Sequence, residues 1–192
     1  MRRNRFAIIA LVLGFATAAE MACADETAAW SALRAGRHIA LMRHADAPGG
    51  AGDPPGFRVE DCATQRNLSA KGRADAKTIG ARLKSEGIAV EKILASPWCR
   101  CTETATLLEL GPVEAAPTFG NVVVLRDQAE ALAGGARTVI SKWTGRGNLL
   151  IVTHGANIMA LTGVSPASGE IVVVQSGSAG ARIEPVGRLL LN

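Results

Sequence analysis

Two histidines and two arginines stand just beyond apolar runs of the chain. Arg43 and His44 follow His38–Met42, Arg100 comes shortly after Val90–Ala95, and His154 follows Asn148–Thr153. Such runs suit strands of a buried parallel sheet, and in open α/β sheets the ligand crevice lies outside the carboxyl ends of the strands. The four side chains are therefore expected to converge. A neutral imidazole is a good nucleophile near pH 7 when its second nitrogen is held by a hydrogen bond, which a backbone carbonyl in the loop after His44 can provide. Planar guanidinium groups bind oxyanions through paired N–H donors. A lone histidine is ordinarily a hydrogen-bonded or surface residue, and His38, at the start of its strand, fits that reading. His44 and His154 differ from it, since each ends a strand beside a small residue, Ala45 and Gly155.

The elements that must position these groups alternate along the chain. Asp25–Ala35 carries Trp30 and Leu33 at helical spacing, opens on acidic residues and stops at Gly36, which predicts a short helix before the first strand, His38–Met42. Ala47–Gly56 is rich in Gly and Pro and reads as an irregular surface loop at the mouth of the crevice. Ser69–Gly87 places Ala76, Ile79 and Leu83 on one helical face. Further helices are expected over Cys101–Leu110 and Ala129–Trp143, and further strands at Val90–Ala95, Asn148–Thr153 and Ile171–Gln175. Asn121–Leu125 is β-branched but runs into helix-favouring residues, so both readings stay open there. The alternation predicts an α/β fold, a three-layer α/β/α sandwich around a largely parallel sheet.

The 192 residues, 48% of them hydrophobic, suit one globular domain. With three Trp and no Tyr there is little material for stacking bases on rings, which argues against a nucleic-acid partner. Basic Met1–Arg5, the apolar run Phe6–Ala18 and the small-x-small sequence Ala22-Cys23-Ala24 read as an export signal cleaved before Asp25, giving a signal peptide over 1–24, a domain over 25–192 and a periplasmic address. An uncleaved anchor is the alternative, but the apolar run of about 13 residues falls short of the roughly 20 that span a bilayer, so no stable membrane insertion is expected after cleavage. Glu20 argues against a lipid attached at Cys23. Losing Arg2, Arg3, Arg5 and Glu20 leaves 18 basic and 16 acidic side chains (21 less three, 17 less one). So small and scattered a surplus points to no anionic polymer or membrane, and any affinity for anions must be local. In an oxidising compartment thiols pair. Cys99 and Cys101 are too close in sequence to bridge each other comfortably, so Cys62 is expected to link to one of them. Three Cys without a nearby His lack the fourth ligand of a zinc site, and no metal is expected.

Four segments carry a resemblance: Leu41-Met42-Arg43-His44-Ala45, Leu68-Ser69-Ala70-Lys71-Gly72, Ser96-Pro97-Trp98-Cys99-Arg100-Cys101-Thr102-Glu103-Thr104-Ala105 and Val152-Thr153-His154-Gly155. Taken together and in this order, they resemble the histidine phosphatase superfamily, the phosphoglycerate mutase-like proteins. The resemblance implies a metal- and cofactor-free phosphoryl-transfer pocket in which His44 is the nucleophile, Arg43 and Arg100 clamp the phosphate, and His154 is the second pocket histidine. A protonated His154 would help stabilise charge on the phosphoryl oxygens. The first motif departs from the family in having Ala45 where Gly is usual. Arg66 is a further candidate phosphate contact.

An acid must protonate the leaving oxygen. Asp127, Glu130 and Glu170 are the candidates, with Asp127 ranked ahead of Glu170 because it comes after Val122–Leu125, near where relatives keep their donor. These residues together point to a phosphatase acting on a small-molecule or glycolipid phosphate ester of the envelope; some exported relatives trim phosphate from lipopolysaccharide core sugars. A mutase fits poorly, since its substrates are cytosolic, and protein phosphohistidine is also mainly cytosolic. A non-catalytic phosphate-binding module is the alternative, and a structural envelope protein a third. Nothing in the sequence sets the oligomeric state.

Overall fold

The computed structural model describes residues 18–50, 52–177 and 182–191. Most of the expected export signal, residues 1–17, lies outside the described residues, and its last residues open the first helix, α1 (Ala18–Ala35), which therefore begins earlier than the acidic residues suggest. Along the chain come β1 (His38–Arg43), α2 (Ala70–Ser85), β2 (Val90–Ala95), α3 (Cys99–Leu107), β3 (Val113–Ala115), α4 (Ala129–Ser141), β4 (Asn148–Thr153), α5 (Gly155–Thr162), β5 (Ile171–Gln175) and β6 (Pro185–Leu189). Among the described residues no helix is long and apolar enough to cross a membrane.

The six strands form one sheet in the order β3-β2-β4-β1-β5-β6. β3, β2, β4 and β1 run parallel to their neighbours, while β5 and β6 are antiparallel. Strand alternation sorts the side chains into two cores. Ala40, Met42, Leu150, Val152, Ile171 and Val173 face α1, α2 and α3, meeting Leu33, Ile79 and Leu108 among others. Ile39, Leu41, Leu149, Ile151, Val172 and Val174 face the other way, onto Ile140 of α4 and Ile158 and Leu161 of α5. Helices thus cover both faces, which is the expected three-layer sandwich. β4 is buried throughout, as befits a central strand.

Three elements lie outside the sequence expectation. β3 is only three residues long, α5 is a short apolar helix directly behind His154, and β6 opens on Pro and contains Gly, both poor strand formers that are tolerated at the sheet edge it occupies. Asn121–Leu125 is not a strand. Its Asn121 side chain accepts from Val123 N at 3.0 Å and its carbonyl from Leu125 N at 2.8 Å, closing a turn against which β-branched propensity cannot compete.

The N-terminus of α2 braces the loop after His44. Ser69 caps the helix through Gly72 N and donates its own N–H to Asp46 O at 3.0 Å. At Gly72 the helix meets that loop so closely that a Cβ would stand 2.1 Å from Asp46 O. Gly72→Ala must push the two backbones apart. The expected cost is about 1–3 kcal/mol, read as a thermal midpoint lowered by roughly 2–4 °C for each kcal/mol; an unchanged midpoint would mean that this contact does not hold the loop.

Candidate active site

Strand register brings the two histidines together. Arg43 of β1 pairs with Thr153 of β4, so the next residue on each strand is a histidine. His44 N donates to Thr153 O at 2.9 Å, and the two rings lie edge to face with centroids 5.6 Å apart. The helices after these neighbouring strands pass to opposite faces of the sheet, α2 to one and α5 to the other. A crevice must open between them at the strands' carboxyl ends. It is a cavity of about 320 Å³ lined by Arg43, His44, Arg66, His154, Asn121, Val123, Met159 and Ser165 among others.

His44 is 3% exposed. Its Nδ1 lies 2.8 Å from Ala45 O, and since a carbonyl only accepts, Nδ1 carries the proton and Nε2 the lone pair. Burial, reinforced by the charges of Arg100, Arg43 and Arg66, pushes its pKa down to about 3 against the support of the Ala45 carbonyl. It is therefore neutral at pH 7. His154 is hydrogen-bonded through Nε2 to Ser96 Oγ at 2.8 Å and packs edge-on against Trp98. Burial first, then His44 and the surrounding arginines, holds its pKa well below the usual histidine range. A further cation at 154 is disfavoured in so enclosed a space already holding arginines.

Arg43 donates to Pro166 O at 2.8 Å and lies along Gly155, where a Cβ would come within 3.3 Å of its Cδ. The glycine after His154 gives the arginine room. Arg66 lines the cavity and is tied by Nε to Gly52 O at 3.0 Å and by Nη1 to Ala47 O, so it joins the Gly- and Pro-rich loop to the site. Arg100 is placed differently. It is fully buried, absent from the cavity wall, and paired with Asp53 through Nη1 at 2.7 Å and Nη2 at 3.2 Å. Asp53, part of that loop, is a site residue that sequence reasoning misses; nothing in an Asp-Pro-Pro-Gly turn distinguishes a carboxylate that folds inward from one that faces water.

The three candidate acids do not reach the cavity. Asp127 is exposed on a 3-10 turn, Glu130 is exposed and pairs with Arg137, and Glu170 is buried beside β1, where it accepts from Ala167 N and from Arg188. Among the described residues no carboxylate lines the cavity, and no group of three or more His, Cys, Asp or Glu is arranged to hold a metal ion. Cys62 pairs with Cys99. Cys101 is free, and burial pushes its thiol up to about 12.

Residues 39–120 match the model of the histidine phosphatase superfamily (branch 1). No curated protein matches the sequence. Among solved structures it is similar to the protein histidine phosphatase SixA complexed with tungstate (18% identity, TM-score 0.54, 79% of this chain and 96% of that one). It is also similar to YhfR of Bacillus stearothermophilus (18%, TM-score 0.53, 77% and 94%) and to a mycobacterial glucosyl-3-phosphoglycerate phosphatase (15%, TM-score 0.51, 72% and 90%). At these identities the likeness is one of fold.

The depressed pKa values make a stability prediction. Below pH 6.5 the unfolded chain protonates histidines that stay neutral when buried, so it binds more protons than the folded state and stability falls as pH falls. From pH 6.5 to 5 His44 and His154 each contribute a slope of at most about 1.4 kcal/mol per pH unit. His44→Gln is expected to flatten the pH dependence of urea unfolding across that window. An unaltered slope would mean that His44 is already charged in the folded protein.

Proposed function

We propose that this chain is a metal-independent phosphomonoesterase that works through a phosphohistidine at His44, on a phosphate ester outside the cytoplasm. The observation that carries the reading is the locked His44 tautomer, with Nδ1–H held by Ala45 O and Nε2 left as the nucleophile in a cavity edged by Arg43 and Arg66. Export is supported by the Met1–Ala24 pattern and by the Cys62–Cys99 disulfide.

In the first step Nε2 forms a bond to phosphorus as the bond to the leaving oxygen breaks, and that oxygen departs with the electron pair. Arg43 and Arg66 offset the charge spread over the three equatorial oxygens. A phosphate dianion in the cavity also raises the proton affinity of His154, which stands beside His44 and can then take up and return a proton. In the second step water attacks the phosphohistidine, His44 leaves as a neutral imidazole, and the water proton goes to the phosphate released. Without a carboxylate at the cavity wall, a leaving group that needs no proton is handled best. That favours aryl esters over sugar alkoxides. It also favours a second substrate reading, a phosphohistidine side chain whose other ring nitrogen already carries a proton, so that the ring departs as neutral imidazole without an acid; the similar SixA is a protein histidine phosphatase.

The test is turnover of p-nitrophenyl phosphate, a hexose phosphate and a phosphohistidine peptide by the purified protein. The expected order puts the hexose phosphate last. His44→Ala should lose at least about a thousand-fold in kcat together with any acid-labile protein phosphate, and Arg43→Ala about a hundred-fold. A wild-type protein that binds orthovanadate yet hydrolyses none of the three would instead be a non-catalytic phosphate-binding member of the fold.

A further inference from the structure

Asp53 is the point where the surface loop Ala47–Gly56 turns a charge inward. Its side chain is wholly enclosed, as is that of Arg100. Four donors converge on the carboxylate. Arg100 Nη1 and the backbone N of Arg66 reach Oδ1 at 2.7 and 3.1 Å, while Arg100 Nη2 and Trp98 Nε1 reach Oδ2 at 3.2 and 3.0 Å. A buried ion pair offsets its desolvation only when its remaining hydrogen-bonding positions are filled, and on the carboxylate side they are. On the guanidinium side they are not all filled. Nη1 also reaches Arg66 O at 3.3 Å, but Nε is buried and has no partner among the described residues.

A cationic donor left unpaired at that depth is a costly defect unless a ligand completes it. The nucleophile stands close by: Thr104 donates to Arg100 O at 2.6 Å and accepts from Ala45 N, the residue after His44, at 3.1 Å, while Cys101, next to Arg100, lies 3.7 Å from His154 Nε2. The charge count points the same way. Arg43, Arg66 and Arg100 surround His44 with three positive charges, and Asp53, in contact with Arg100 and Arg66, removes one. The remaining two match a phosphate monoester dianion.

We propose that Asp53 is a positioning residue, which fastens the Nη edge of Arg100 so that its free Nε–H is presented to a phosphoryl oxygen held at His44, and which sets the net charge of the pocket. The inference rests on the phosphatase reading for the identity of the anion. It differs from a direct clamp in that the Nη edge of Arg100 is taken by Asp53, which leaves the Nε side to the phosphoryl group. It also assigns the Gly- and Pro-rich loop a part in the chemistry, because moving Asp53 moves Arg100.

The experiment compares the full chain with Asp53→Asn and Asp53→Glu, each with the disulfide intact, by calorimetric titration with inorganic phosphate and with orthovanadate. Vanadate takes up the five-coordinate geometry of the transferring group, where an oriented donor counts for more than a bulk charge. Asp53→Asn puts an amide N–H against donors that need an acceptor. It should weaken vanadate at least about ten-fold and phosphate clearly less, lower kcat more than it raises KM, and leave the circular dichroism spectrum unchanged. Asp53→Glu, which restores the charge one methylene away, should recover part of the vanadate affinity. Equal losses for the two anions would reduce Asp53 to a structural support, and tighter binding by Asp53→Asn would make it an anion that competes with substrate for Arg100; either overturns the proposal. If Asp53→Asn does not fold, Asp53→Glu against wild type decides, with a vanadate loss exceeding the phosphate loss expected and unchanged affinities for both overturning it. Wild-type turnover is read separately, so a protein that binds vanadate without hydrolysing esters defeats the phosphatase reading and still decides the role of Asp53.

Discussion

The pairing of Arg43 with Thr153 is the constraint on which the site of this molecule depends. Two parallel strands in that register must end on His44 and His154 side by side, and a shift of one residue would turn one imidazole to the opposite face of the sheet. The register is held on both faces. Met42 and Val152 are locked into the core beneath α1–α3, and Leu41 and Ile151 into the one beneath α4 and α5. β2 joins on the far side of β4 with Ala95 opposite Val152, and Ser96, the residue after it, arrives within hydrogen-bonding distance of His154. Three groups of the site are thus set by sheet geometry, without help from loops.

What the sheet cannot supply is charge. The strand ends hold two neutral imidazoles, and the cations come from an adjacent strand residue, Arg43, and from two segments outside the sheet, Arg66 and Arg100. Burial first, and then the guanidinium groups crowded around them, hold both histidines in their neutral forms, the state a nucleophile needs. The same crowding puts like charges close together, and the enclosed carboxylate of Asp53 offsets part of that repulsion.

The parts legible in the sequence are those governed by local pattern. Apolar runs ending in Arg43-His44 and Thr153-His154 mark strands and the groups they deliver, Ser69 and Gly72 mark the start of α2, and the carbonyl holding His44 Nδ1 lies in the loop where it is expected. The parts that are not legible depend on contacts distant in the chain. Asp127 and Glu170 look equivalent to Asp53 as carboxylates; only the fold leaves the first in water, gives the second to Arg188, and brings the third to Arg100 across 47 residues. Arg100, expected to converge with the histidines, is instead absent from the cavity wall and paired with Asp53 of the loop. Periodicity fails at Asn121–Leu125, where one side-chain hydrogen bond outweighs four β-branched or apolar residues.

The cysteines show how covalent and non-covalent bracing divide this labour. Cys62 lies four residues before Arg66 and Cys99 one before Arg100, so their bond ties together the two segments that carry the outlying arginines. Gln65 makes the same connection without covalency, accepting from Cys99 N at 3.0 Å and donating to Val59 O at 2.8 Å. Native geometry is therefore specified twice. The distinct contribution of the disulfide is entropic: closing a loop across 37 residues removes about 4 kcal/mol of freedom from the unfolded chain in the loop-closure account. Cys101 cannot substitute for Cys99, because helical phase turns it into the core against His154, away from Cys62. The two segments that carry the outlying arginines are thus joined both covalently and through Gln65.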